Sequence, residues 1–591
     1  MVAINQIFPQ KICDAKLTTF LKAKGLLVIK MNICSSNRLN ALKLNIKIKN
    51  KELYLSKCLA MHFKNFAISL LLLLTTSLAF GQDVYHHVTN QGVYELIDEL
   101  ANMGIISVNS SVKPYSRKQI SQLLTQANSQ TEKLSKRQKA EIAFYLKDFG
   151  KEQNITKDFP RRFDALYYKD SLFAFTLNPV LGVNTFSNSG DVIYRRWVGA
   201  EMLGYIGANF AMYASLRDYN ENVRLGERDY LNHFQGGGYK PNADGGEFSE
   251  MRGGLSYGWS WGSISLVKDH LEWGSGYYGT NILYSKAPSF TMIKLNVKPS
   301  DWFELNFIHG WLVSQVIDSS RIYNYDGQKR DMFHPKYIAA NLFTLTPFDR
   351  LNVSFGNSII YSDMDIHPAY LTPLFFYKSI DHHLNGMSNY TGQNSQMFLD
   401  ISSRLIRHTH MYATLFLDEL SMSRMFDAEK HSNFFSLKAG FRISNFPIKN
   451  LTLTAEYTRN NPQTFEHIIE TTTFESNRYN LGHYLRENAQ ELYLAASVKP
   501  FKNFSILVSY TNAQKGPYTS EEDSRLGLIF LERVDWQAHL VSTTVRYQVL
   551  NDSYIYAGID YGNYSGNTEQ YTPMFLTNSP ITITFGGNYG F

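Results

Sequence analysis

From about Leu172 to its end the chain alternates apolar and polar residues with a period of two, in short segments repeated over most of its 591 residues. Leu451, Leu453, Ala455 and Tyr457 alternate with Thr452, Thr454, Glu456 and Thr458, and Phe303, Leu305 and Phe307 with Glu304 and Asn306. Val541, Thr543, Val545 and Tyr547 alternate in the same way with Ser542, Thr544 and Arg546. Successive side chains of a strand point to opposite faces, so each segment carries one apolar face and one polar face. Segments of roughly ten residues patterned like this are what a barrel with lipid outside and water inside requires. A soluble sandwich would share the alternation but not the spacing of turns described next.

Pro299, Pro347, Pro447 and Pro500 mark tight turns at 298–302, 346–350, 445–450 and 499–503, each opening directly into an alternating strand. Short links at 205–209, 261–262, 407–409 and 549–553 bring the number to eight. Between them lie mostly long, polar connections, the largest near 220–247, 315–335, 362–394, 461–488 and 514–535. Eight short turns and nine outer connections imply an all-β transmembrane barrel of about 18 antiparallel strands, with both ends on the periplasmic, short-turn side. The last segment places Ile581, Ile583, Phe585, Tyr589 and Phe591 on one face and resembles the terminal strand that barrel-assembly machinery recognises. Trp261 and Trp302 fall at expected periplasmic turns, and Trp273, Trp311 and Trp536 near expected outer ends, where interfacial girdles form.

The one long apolar run spans 67–80, behind Met61, His62 and Lys64 and ahead of Gly81. It is too short to cross a bilayer comfortably, and with Ala79 and Gly81 two positions apart it reads as a signal peptide over 61–81, cut before Gln82. Residues 1–60 then read as an upstream extension, with Met61 as the true start, and the destination is the cell outer membrane. The 58 basic and 52 acidic residues of the whole chain become 46 and 50 after the cut, so the mature net charge is −4 and nothing suggests nucleic acid. Cys13, Cys34 and Cys58 all precede the cut, which excludes disulfides and thiolate metal sites from the mature protein.

Residues 82–160 have a different period, and 161–591 form the barrel. Val93, Leu96, Ile97, Leu100 and Ala101 recur at helical spacing, with Gly104 as a C-cap. Ser116 with Gln119, and Ser135 with Gln138, give capping-box patterns ahead of two further helices. This small helical unit is expected to pack against the periplasmic mouth; the alternative is a contact with a periplasmic partner or the cell wall through the exposed Lys and Arg of 133–139.

Chemistry is sparse. Gly258-Trp-Ser-Trp-Gly262 matches the nucleophile-elbow pattern around Ser260, but an alternating strand entering a tight turn is not the strand-to-helix turn that an elbow needs. His382-His383 and His408-x-His410 lack a completing Asp, Glu or Cys at ligand spacing, so no metal site and no cofactor is expected. Outer loops rich in Tyr, Trp, Asn, Asp and Arg suit stacking on pyranose faces and bonding to hydroxyls. Composition leaves polysaccharide binding and nonspecific pore function both open.

The stretch Lys268-Asp-His-Leu-Glu-Trp-Gly-Ser-Gly-Tyr-Tyr-Gly279, followed by Ala287-Pro288-Ser289 and later Gly310-Trp311, resembles the Wzi family of capsule-assembly outer-membrane proteins. Tyr370-Leu-Thr-Pro-Leu374 is similar to a second family feature. The resemblance is to a Bacteroidetes-type member, and the loops differ in length and content from those of enterobacterial members, which leaves the identity of the glycan open. The resemblance implies periplasmic helices ahead of an 18-stranded barrel, acting as a noncatalytic lectin that helps capsular or exopolysaccharide attach or assemble at the cell surface. Carried onto this chain, it implies loop-shaping roles for Gly274, Gly276, Ala287 and Pro288. Trp273, Tyr277 and Tyr278, with Asp269 and Glu272 beside them, become the candidate glycan-binding residues, and Phe591 the barrel-assembly signal. Surface polysaccharide, outer-membrane lipid and the assembly machinery are the expected partners of a monomer, and a porin-like channel for small solutes is the alternative.

Overall fold

The computed structural model describes residues 82–590, apart from 154–160, 243–244, 387–391, 426, 428, 431–432 and 520–525. The signal segment, the upstream extension, the three cysteines and Phe591 lie outside the described residues.

Eighteen antiparallel strands close into one barrel. The first six are β1 (Phe173–Asn188), β2 (Asp191–Ile206), β3 (Phe210–Glu221), β4 (Gly245–Trp259), β5 (Gly262–Asp269) and β6 (Phe290–Ser300). The middle six are β7 (Phe303–Leu312), β8 (Lys336–Phe348), β9 (Leu351–Ser362), β10 (Asn394–Ser403), β11 (Thr409–Glu419) and β12 (Phe434–Ser444). The last six are β13 (Leu451–Asn460), β14 (Ala489–Val498), β15 (Phe504–Lys515), β16 (Trp536–Leu550), β17 (Ser553–Gly566) and β18 (Ile581–Tyr589). β18 pairs back onto β1 from Ile583 opposite Ser187 to Tyr589 opposite Leu181, so no edge is left open. All eight expected short links join consecutive strands, the one before Thr409 running from 404 to 408. Among the nine outer connections the first is short, a two-residue turn in which Ser189 and Gly190 both have positive φ, the geometry that suits a hairpin.

The alternation resolves into an outward and an inward set. Val198, Leu255, Leu266, Phe355, Ile559, Ile583 and Phe585 are exposed on the outer wall. Inward positions on neighbouring strands, such as Asn306, Ser354, Asp400, Thr414 and Ser436, are buried. Among the described residues no helix is long and apolar enough to cross a membrane. A closed barrel with an apolar outer belt satisfies every backbone group within lipid, and the chain is a protein of the outer membrane.

Three helices, α1 (Gln91–Asn102), α2 (Arg117–Asn128) and α3 (Lys136–Phe149), form the N-terminal unit around Leu96, Ile97, Leu100, Ile120, Leu124 and Ile142. Ser116 caps α2 by accepting from the Gln119 N–H at 3.2 Å, and Ser135 with Gln138 completes a full capping box on α3. The unit plugs the short-turn end of the barrel. Arg404 donates to Asp98 at 2.9 Å and to Asn102 at 2.8 Å, Tyr554 to Asn90 at 2.7 Å, and Asn551 to the Phe144 carbonyl at 2.9 Å. The basic stretch 133–139 is only partly free. Arg137 is buried, ion-paired with Glu99 and with Glu141, because it is needed inside the plug interface.

Several outer connections depart from the expectation of projecting loops. The one after β9 folds back over the outside of the wall, where Tyr370 and Tyr377 pack on Phe307, Ala339, Ile359 and Tyr361. It includes a short helix, α4 (Tyr377–Asn385). The one after β5 folds into the lumen, where Phe465, Phe474, Tyr479 and Leu481 of the connection after β13 share a core with it and with Phe398 and Phe416 of the wall.

Candidate functional site

The segment 270–289 leaves the outer end of β5, crosses the barrel interior and returns to β6. At its deepest point it meets the plug. Val112 and Lys113 pair with Trp273 and Glu272 as a two-residue antiparallel ladder, and the Gly274 N–H donates to the Ser111 carbonyl at 2.8 Å. The plug in turn is fixed to the wall by Ser111 against Ser354 at 3.1 Å. Loop from outside and plug from the periplasm therefore close the lumen together.

The residues expected to bind glycan lie along this segment and radiate to different walls. Trp273 has no exposed surface and packs edge-on against Phe398 of β10, with ring centres 6.2 Å apart. Tyr277 shares a 2.6 Å hydrogen bond with His410 Nδ1 of β11 and lies under the Arg442 guanidinium at 4.3 Å. Tyr278 stacks flat on Tyr493 of β14 at 3.9 Å. Asp269 accepts from the Tyr213 hydroxyl at 2.6 Å and pairs with Arg252 at 3.3 Å, and Glu272 accepts from Ser285 at 2.6 Å. No single open face presents them to a ligand. Trp273 and Trp536 are thus interior residues, not girdle residues as their positions near strand ends suggested. Trp536 occupies an inward position of β16 and donates its indole N–H to Thr572 at 2.8 Å. Trp261 and Trp302 are exposed at periplasmic turns, as expected.

Backbone demands explain the glycines. Gly274 has φ of +113°, where a side chain would be strained, and a Cβ on Gly276 would come within 2.6 Å of the Gly279 carbonyl and of Lys438 Cε. They shape an infolded loop, while Ala287 is buried and Pro288 half-buried where it rejoins the wall. The loop backbone is anchored by inward carboxylates. Glu456 accepts from the Tyr277 and Tyr278 N–H groups at 2.7 and 2.8 Å, and Asp400 accepts from the Ser275 N–H at 3.0 Å and its hydroxyl at 2.7 Å. Lys438, at 3.4 Å from Glu456, balances the charge and donates to the Tyr278 carbonyl at 3.0 Å. Burial pushes the Tyr277 and Tyr278 phenols up, so both stay neutral. Burial likewise brings Lys286 down to about 7 where it donates to the carbonyls of Tyr230 and Asn232.

Ser260 lies in the turn between β4 and β5, and His382 and His383 stand exposed on α4. His408 sits in a periplasmic turn, whereas His410 is buried against Ser402 at 2.8 Å. These groups are not brought together.

Two features were missed by sequence reasoning. On the outer side a hairpin, Tyr323–Tyr325 paired with Gln328–Arg330, presents Tyr323 and Tyr325 with every residue of both strands exposed. On the periplasmic side a cleft of about 720 Å³ lies between plug and wall. Its floor is a network in which Asn296 and Asn306 both donate to Glu304, at 3.0 and 2.9 Å. Inward polar residues on adjacent strands are the signal for the cleft. The hairpin carries no signal beyond two tyrosines in a polar loop.

The chain matches no protein-family model and no curated protein. In fold it is similar to Wzi of Escherichia coli, an outer-membrane protein involved in group 1 capsule assembly and a carbohydrate-binding β-barrel. The likeness covers 84% of this chain and 98% of that one, with a TM-score of 0.50 and 11% identity. The outer-membrane protein OprD of Pseudomonas aeruginosa is similar over 72% of this chain and 96% of its own, with a TM-score of 0.38 and 9% identity. OccD3 of the same organism is similar over 70% and 90%, with a TM-score of 0.38 and 10% identity.

Proposed function

We propose that the chain is a noncatalytic polysaccharide-binding barrel, a Bacteroidetes-type member of the Wzi family, that helps attach or assemble capsular or exopolysaccharide at the cell surface. The observation that carries this reading is the closure of the lumen, with Ser111 of the plug bonded to Gly274 of the infolded loop. An interior spent on holding loops in place suits a protein whose outer surface does the work. The carbohydrate-binding activity of the similarly folded Wzi barrel supports the same reading. With Trp273 buried, the contact surface moves to the exposed loops, and the Tyr323/Tyr325 hairpin, flanked by Arg321, Asn324 and Arg330, offers aromatic faces beside hydrogen-bonding groups.

The test is binding of the purified mature chain to surface polysaccharide extracted from its own host. Saturable binding is expected, weakened about tenfold by Tyr323→Ala with Tyr325→Ala, since each stacked ring is worth roughly 0.5–1.5 kcal/mol beyond its buried area. Absence of binding at any concentration would sink the reading.

One observation favours a second reading, a channel for small solutes. The packed interior is eccentric. Lumen-facing Tyr556, Asp560 and Tyr564 of β17 and Ser542 and Thr544 of β16 are only half-buried, which leaves a strip along that wall less filled than the opposite side.

A further inference from the structure

Where the plug chain enters the barrel, three side chains that lie far apart in sequence meet. His87 belongs to the segment leading into α1, Asp269 ends β5, and His270 begins the infolded loop. All three are buried, and one ligand atom from each lies within 4.8 Å of the other two. We propose that His87, Asp269 and His270 form a binding site for a borderline divalent cation of the zinc class, which ties the plug to the barrel wall and to the root of the infolded loop.

The geometry is specific. His87 Nε2 and His270 Nδ1 are 3.3 Å apart. Two nitrogens bound at about 2.0–2.1 Å on adjacent corners of a tetrahedron are separated by about 3.3 Å, so the pair already spans one edge of a zinc coordination shell. Two imidazoles and a carboxylate are a common donor set for such a cation, with the fourth corner left to water. The outer shell is also built. The far nitrogen of His270 meets the Gln235 side-chain amide at 2.7 Å, and the buried Glu250 Oε1 lies 3.7 Å from it. The far nitrogen of His87 meets the Thr89 hydroxyl at 2.5 Å, and Asp269 is oriented by Tyr213 at 2.6 Å. Ligand histidines held through the opposite nitrogen by a hydrogen-bonding side chain have their ring orientation fixed around a metal.

The charge around the site is mixed. Arg252 pairs with Asp269 at 3.3 Å, Arg217 acts on His87, Lys268 acts on His270 and Lys294 faces Asp269, and Asp269, Glu250 and Glu201 are the carboxylates set among these cations. A hydrogen bond between the two imidazoles is what the cation would replace.

The experiment uses the full mature chain, stripped of metal and folded in detergent, titrated with Co(II) as a visible zinc surrogate. About one equivalent is expected to bind with the absorption of a four-coordinate site and to be displaced by Zn(II). His270→Gln or His87→Gln should abolish the band, and Glu250→Gln should weaken binding 10–100-fold. His382→Gln with His383→Gln, on the exposed helix, should change nothing. Lack of a band in the wild type, or a band that survives His270→Gln with His87→Gln, overturns the proposal. Should those variants not fold, limited proteolysis of the wild type decides: Zn(II) should slow cleavage within 82–153 relative to chelator, and equal rates overturn the site.

Discussion

At the residue scale, the plug is held by charge as much as by shape. Glu95 of α1 meets Arg546 at 2.6 Å and Lys499 at 3.1 Å, one from β16 and one from a periplasmic turn. Burial alone would raise its carboxyl, but the two cations outweigh burial and bring it down to about 2 from an ordinary 4.5. A depressed carboxyl stabilises the folded state at pH values above the unfolded one and loses that contribution as pH falls through the folded one. The shift corresponds to about 3 kcal/mol, less in practice because the side chain remains 22% exposed. Attachment of the plug, read from amide exchange in α1, should therefore be steady between neutral pH and about 5 and weaken from about 4.5 towards 2. Glu95→Gln should cost roughly 1–3 kcal/mol at pH 7 and almost nothing once pH falls below about 2. A cost independent of pH would show that packing, not the ion pair, is what the residue supplies.

At the element scale, the segment after β9 solves a problem that the strand pattern creates. Asn341 and Asn357 occupy outward positions in β8 and β9, next to Phe343 and Phe355, where lipid offers amides no partner. The folded-back segment supplies partners. Asn341 donates to the carbonyls of Pro373 and Phe375 at 3.0 and 2.9 Å, and Asn357 accepts from the Tyr377 N–H at 2.9 Å. In exchange the segment exposes Leu371, Leu374, Phe375 and Phe376, so the apolar belt continues across it. Because residues 82–591 contain no cysteine, Phe376→Cys in a chain of those residues can carry a polarity-sensitive dye at a single place. In reconstituted bilayers its emission should be that of a hydrocarbon environment, whereas Tyr325→Cys on the outer hairpin should report water. Water-like emission from both would mean that the segment stands off the membrane.

At the scale of the whole molecule, an 18-strand barrel is wide enough for a water-filled bore, so what the interior contains decides whether it conducts. The plug and the loop 270–289 meet within it, while lumen-facing residues along β16 and β17 are only half-buried. The wild type should be silent or show only small steps in planar bilayers, and deletion of 82–153 should give large stable ones. Large steps from the intact chain would make the channel reading the leading one. The strand number, the eight periplasmic turns and the helical plug were legible in the sequence because period-two alternation, Pro-containing links and capping residues are local, and each is enforced by backbone geometry within a few residues. Where the loops go was not legible. The position of Trp273 near a strand end suited a girdle or a sugar platform, yet the loop carries it inward to Phe398 and Val112, contacts more than a hundred residues away in sequence. No spacing rule joins His87 to Asp269 and His270 either; only closure of the barrel around the plug brings them together. Local chemistry determined what this chain builds. The packing of a long loop against a distant plug decided which side chains face a ligand, and that balance of burial and buried charge is a property of the folded interior alone.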